Sequence, residues 1–302
     1  MLFLKGEYMN TKKIAFKISI VTIILNSILA VLKLVAGLIS NSSAIVSDSI
    51  HTFSDVATTI IAMIGVAIAS REEDDNHRYG HERIESIASL ILSMILFITG
   101  FEIGLSGINV LINNEFETMK TPGIFALIAA IISILVKECM YWYTIRGAKI
   151  IKSDALKADA WHHRSDALSS IGALIGIILS RMGYKFFDPL ASILIAILII
   201  KVAVEIFLEA TDKLVDKSCD EKTIEEIKKI VLKQDGVLGI DDIKTRVFAN
   251  KIYVDIEIAA DGEKTLFETH KIAEKVHYEV ERKFQDIKHI MVHVNPYEGD
   301  KK

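Results

Sequence analysis

Cysteine and proline are scarce in this chain, with two and three copies respectively among 302 residues. Cys139 and Cys219 lie far apart and lack metal-ligand spacing, so they read as two free thiols in a reducing compartment. No basic run stands out, and a formal net charge of -4 gives no reason to expect a nucleic-acid partner. There is no low-complexity segment. The first apolar stretch is too long for a secretory h-region and has no small-residue cleavage pattern. H-E-x-x-H, the zinc-protease signature, is absent. Apolar residues, by contrast, are abundant at 51%. They are concentrated before about residue 210, which suggests a membrane domain followed by a soluble tail.

Stretches of about 20 mostly apolar residues mark membrane spans. Six are predicted: Ile14–Ile39, Ala44–Ala69, Ile84–Ile112, Ile124–Ile145, Ala155–Arg181 and Leu190–Leu208. Pro122 and Pro189 sit at the starts of the fourth and sixth, where a missing N–H costs nothing. Lys5, Lys12, Lys13, Arg71, Arg78, Arg83, Arg146, Lys149, Lys152 and Lys157 gather on one side, against Lys120, Arg181 and Lys185 on the other. By the positive-inside rule both termini face the cytoplasm.

Beyond residue 210 the pattern changes. "DEKTIEEIKKIVLKQ" is an amphipathic helix with Ile224, Ile227 and Val231 on one face. "KIYVDIEIA" and "HIMVHVN" alternate as strands, and another strand is expected around Lys244 to Phe248. "TLFETHKIAEKVHYEVERKF" opens with Thr265 and Glu268 at capping-box spacing. The order helix, strand, strand, helix, strand suits a small α+β sandwich. The expected fold is an all-α membrane domain of six transmembrane helices over residues 1–210. A cytoplasmic α+β, ferredoxin-like domain follows over 211–302.

Two of the spans carry charge. In "SDSIHTFSD", Asp48, His51 and Asp55 follow a D-x2-H-x3-D spacing that shares one helix face, and Asp159, His162 and Asp166 repeat it in "ADAWHHRSD". A charged side chain at mid-membrane costs roughly 2.5–3.5 kcal/mol on insertion scales, so such residues mark function. Single polar groups such as Asn26 read as helix–helix hydrogen-bonding glue. Lys33 and Lys137 are too few to neutralise these acids, whereas a divalent ion would do so. His51 with Asp55 and His162 with Asp166 are i, i+4 pairs. Facing each other, they supply two nitrogens and two oxygens, a tetrahedral set suited to zinc. Imidazole favours zinc, copper, iron or nickel over magnesium or calcium. With the second helix running inward and the fifth outward, the four donors share one depth. Asp48 is then expected at an outer vestibule and Asp159 at an inner one. His163 reads as a packing or vestibule residue and Trp161 as an interfacial anchor.

"SDSIHTFSD" and "AWHHRSDALSS", together with six spans and an α+β tail, resemble the cation diffusion facilitator family over nearly the whole chain. The resemblance implies a homodimeric, proton-coupled exporter of divalent metals in the cell membrane, with His51, Asp55, His162 and Asp166 as the transport site. Histidine on both helices is the family pattern for Zn2+, often with cadmium, while iron, cobalt and manganese are the alternatives. "DDNHRYGH" places Asp74, His77 and His81 as in the family's second zinc site. Asp241, Asp255, His270, His293 and Asn295 match a cytoplasmic zinc pair held between protomers, although Asp241, Asp255 and Asn295 depart from its pattern. His277 and His289 read as ordinary surface histidines. Arg83 and Asp216 correspond to a basic–acidic latch, with arginine in place of lysine. Other readings are an intramembrane metalloenzyme and a non-transporting metal sensor. Four protein ligands leave the first no open position for an activated water, and the second gives the intramembrane acids no task.

Overall fold

The computed structural model describes residues 2–39, 43–113, 124–181, 187–248, 251–284 and 286–297. The chain divides into two compact units, Met1–Thr211 and Asp212–Lys302.

The first unit is built from long helices: α1 (Leu2–Ile39), α2 (Ser43–Ala69), α3 (Arg83–Ile112), α4 (Ile124–Ile151), α5 (Asp154–Arg181) and α6 (Phe187–Leu214). Among the described residues, three stretches are long and apolar enough to cross a membrane on composition alone: Lys12–Ala36, Ser49–Ala69 and Arg83–Ile112. The composition of α5 is different because its apolar residues are interrupted by Asp159, His162, His163 and Asp166. Pro122 lies outside the described residues.

The polarity of this unit is inverted relative to a water-soluble protein. Ser19, Thr22, Asn26, Thr52, Thr59, Ser86, Ser89 and Thr144 are buried, whereas Ile24, Leu32, Met94, Phe101, Leu135, Leu194 and Ile197 are exposed. In lipid this is the favourable arrangement: apolar side chains cover the outside and small hydroxyls let helices approach closely. Several hydroxyls are satisfied within their own helix. Thr22 donates to the Ser19 carbonyl at 2.9 Å and Ser93 to that of Leu90 at 2.8 Å. Asn26 departs from the expected role, since neither side-chain amide atom makes a hydrogen bond among the described residues. α1 packs chiefly on α2, and α4 on α5. α5 also touches α2 and α3, so its polar face is enclosed.

The second unit contains α7 (Glu221–Val231), β1 (Gly239–Phe248), β2 (Lys251–Ala260), α8 (Leu266–Lys283) and β3 (Ile287–Pro296). Asp220 caps α7 by accepting from the Thr223 backbone N–H at 3.0 Å. Thr265 and Glu268 form the expected capping box at the start of α8. The sheet order is β1-β2-β3, with β1 antiparallel and β3 parallel to β2. Ile227 and Val231 of α7 and Ile272, Val276 and Val280 of α8 pack on Val254, Ile256, Ile258 and Ile290. Alternation along the strands leaves Asp255, Glu257, Met291 and His293 on the other face.

Close helix contact generates a prediction. A Cβ added at Gly65 on α2 would lie 2.4 Å from the Ala88 Cβ on α3. In an isolated helix, Gly→Ala gains about 1 kcal/mol. Here overpacking, typically about 1–3 kcal/mol, should win. Gly65→Ala is expected to lower the thermal unfolding midpoint in detergent micelles, and a rise would show that these helices do not touch there.

Candidate metal centre

Helix periodicity puts His51 one turn before Asp55 on α2, and His162 one turn before Asp166 on α5. The two helices face each other, and the four side chains converge. His162 Nε2 lies 3.3 Å from Asp55 Oδ1. His51 Nε2 lies 4.0 Å from both Asp55 Oδ1 and Asp166 Oδ1. His51, Asp55 and Asp166 offer ligand atoms all within 4.8 Å of one another, and His162 joins them through Asp55. The surroundings are asymmetric: the His51 side chain is 55% exposed, whereas that of His162 is 5% exposed.

The structure corrects the expectation about lysine. Lys137, on α4, reaches into the site. Its Nζ donates to Asp55 Oδ2 at 2.6 Å and to Asp166 Oδ2 at 2.8 Å, and its side chain is 2% exposed. One buried ammonium thus bridges both acids, because α4 packs directly on α5. Each aspartate turns one oxygen to the ammonium and the other toward imidazole. Breaking such a buried pair by removing one partner costs about 3–5 kcal/mol. The sequence signal was a lone lysine in the apolar run "ISILVKECMYW". Lys33 is buried too, but it donates to Thr52 Oγ1 at 2.9 Å. A cavity of about 170 Å³ adjoins the site, lined by Thr99, Glu102, Ser133, Ser169 and Ser170 as well as the charged groups. Glu102, an intramembrane acid on α3, was also not singled out from the sequence.

Asp159 is not presented to a vestibule. It is fully buried and accepts from Thr59 Oγ1 at 3.0 Å. The i, i+4 spacing on α5 brings the buried His163 Nε2 within 3.6 Å of its other oxygen. α2, α3 and α4 all contact α5, and the Asp159 and His163 side chains are both shut off from water. Asp48 belongs to α2, and its side chain lies outside the described residues. Trp161, expected as an interfacial anchor, packs edge-on to Tyr141 at 5.6 Å between ring centres, with the Arg164 guanidinium 5.4 Å from its own ring.

A second cluster occupies the loop between α2 and α3. Asp74 Oδ1 lies 3.1 Å from His77 Nδ1, and Asp74 Oδ2 lies 3.3 Å from His81 Nε2. All three offer atoms within 4.8 Å of one another. Two nitrogens and one oxygen suit a zinc-class divalent ion, with a fourth position left to water. Asp74 also accepts from the His77 and Asn76 backbone N–H groups, at 2.7 and 3.0 Å.

In the tail, Asn295 Nδ2 donates to Asp241 Oδ2 at 2.9 Å and to Glu257 Oε2 at 3.1 Å. His293 neighbours Glu257 in the strand register, Asp255 neighbours Lys244 and Met291, and His270 pairs with Glu274 on α8 at 3.6 Å. Among the described residues, no three of Asp241, Asp255, His270 and His293 gather as a single-chain ligand cluster. His277 and His289 lie 6.0 Å apart, ring to ring. Arg83 and Asp216 belong to different units, and their pairing stays an expectation.

A helical membrane unit with donors gathered between its helices and an α+β tail defines a class of multi-pass metal transporter. Residues 19–215 match the cation efflux transmembrane domain, and residues 219–297 match the cytoplasmic domain of cation efflux proteins. The chain belongs to the cation diffusion facilitator family, whose members are membrane transporters that export divalent metal cations rather than enzymes. It is 37% identical to an uncharacterized transporter of Methanocaldococcus jannaschii over 91% of this chain and 96% of that one. It is 32% identical to the manganese efflux system protein MneP of Bacillus subtilis, over 95% and 97%. It is also 31% identical to metal tolerance protein 2 of Oryza sativa subsp. japonica, over 88% and 75%.

The His77 backbone N–H is the largest influence on the Asp74 carboxyl and holds it below its ordinary value of 3.8. A depressed carboxylate adds its full contribution to loop order above the ordinary value and loses it only as pH falls through the lowered one. NMR titration of the Asp74 carboxyl carbon should give a midpoint below 3.8. A midpoint at or above that value would mean the turn is not formed.

Proposed function

We propose that this protein exports zinc-class divalent cations from the cytoplasm, Zn2+ first and Cd2+ with it, in exchange for protons. The convergence of His51, Asp55, His162 and Asp166 from two facing helices supports this reading. Two imidazoles and two carboxylates match the donor preference of zinc. Metal binding requires neutral imidazole and ionised carboxylate, so protons compete with it. A site that releases metal outward takes up protons there and carries them back. Histidine, with an ordinary value of about 6.5, suits that exchange.

In this reading all six long helices cross the cell membrane, both termini are cytoplasmic, and the chain works as a homodimer through its tail. The inverted polarity of α4 and α6 supports the span count, with Leu135, Leu194 and Ile197 turned outward. Zinc at Asp74, His77 and His81 would tune conformation without carrying flux. Asp241, Asp255, His270, His293 and Asn295 would contribute to a cytoplasmic metal site only across two protomers.

A second reading, manganese export, is favoured by the name of the MneP relative. Against it stands imidazole on both helices, since manganese prefers oxygen donors. Iron and cobalt remain within the same class.

Inside-out vesicles with an imposed pH gradient test the proposal. Zinc uptake should exceed manganese uptake, collapse when the gradient is dissipated, and fall by at least about 100-fold in His162→Ala, the scale of losing one metal-orienting group. Manganese uptake without zinc uptake would favour the second reading. Metal binding with no flux of any metal would sink both.

A further inference from the structure

Buried charge is concentrated at one place that metal coordination does not account for. Lys137 donates to one oxygen of each aspartate, at 2.6 and 2.8 Å, while the other oxygens face His51 and His162. We propose that Lys137 is a tethered counter-cation that trades places with the transported ion: the ammonium holds the two carboxylates when metal has left, and metal displaces it on binding. This deepens the efflux reading and rests on it.

A dication and an ammonium sharing the same two carboxylates in a low-dielectric interior repel strongly. One of them must leave, and the lysine is tethered by a flexible four-carbon stem. The adjoining cavity offers it somewhere to go. Glu102, Thr99, Ser133, Ser169 and Ser170 line that space, and Ser133 lies one turn from Lys137 on α4. Lys33 also lines it but is engaged by Thr52. Once metal departs, two ionised carboxylates without a cation would be costly to keep in the membrane interior. Return of the ammonium removes that cost. Lys137 therefore acts on the limb of the cycle in which the carrier resets, and it competes with metal on the limb in which it loads.

Proteoliposomes holding the full chain separate these two limbs. Net transport needs the carrier to reset without metal, whereas exchange of radiolabelled metal with metal on both sides does not. The probe is whichever ion of the zinc and manganese pair the wild type carries. In Lys137→Gln the KM should fall several-fold because the competitor is gone. Net flux should drop to a small fraction of wild type while exchange is largely kept. A KM and a net-to-exchange ratio both equal to wild type would overturn the proposal. So would a raised KM with both fluxes lost in proportion, which would make Lys137 a structural prop for the ligands. If Lys137→Gln does not fold, Lys137→Arg decides. Its guanidinium fork grips both carboxylates, so net flux should survive with a raised KM, and an unchanged KM would overturn the idea. Absence of any metal flux in the wild type would instead fail the efflux reading itself.

Discussion

Two aspartates paired with one ammonium inside a helix bundle set the terms for everything around them. Asp55 and Asp166 come from different helices, so their mutual repulsion would drive α2 and α5 apart unless positive charge lay between them. In the structure that charge is the Lys137 ammonium, brought in by a third helix. In the proposed export cycle, a divalent ion would hold the same two side chains together. On the proposed cycle, the packing of α2, α4 and α5 would then require a cation in the site at every stage, and the helices would have reason to rearrange when one cation replaces another.

The architecture around this core follows the same constraint. Polar hydroxyls line the helix contacts and apolar side chains face outward, which is unfavourable in water and favourable in lipid. The tail obeys the opposite rule, with α7 and α8 covering one sheet face over a buried aliphatic core. Its remaining face carries Asp255, Glu257 and His293 in adjacent register, with Met291 among them.

Much of this was legible in the residues themselves. The αββαβ order of the tail followed from 3.6- and 2-residue periods, and the Thr265–Glu268 cap from its spacing. The juxtaposition of His51, Asp55, His162 and Asp166 followed from two repeats of one spacing on long apolar helices. The part played by Lys137 did not follow. Periodicity gives the face a side chain occupies on its own helix, but not the rotation of that helix against its neighbours. The burial of Asp159, expected at an inner vestibule, did not follow either, for a related reason. Asp159 shares a face with His162, but Thr59 of α2 reaches it and its side chain is fully buried, so burial is set by neighbours rather than by α5 itself. Six spans were read from length and apolarity, yet only three helices meet that standard among the described residues.

If α5 crosses the membrane, as in the proposed six-span arrangement, its make-up bears on how the chain inserts. This helix carries Asp159, His162, His163 and Asp166 within two turns, and each such residue penalises partitioning from a translocon into lipid. A segment like this is a poor candidate for entering the bilayer alone. α4, which packs along it and carries the lysine that pairs with Asp166, is its natural companion. Insertion as a hairpin would shield the acids before they meet hydrocarbon, so assembly of the transport core would begin during synthesis.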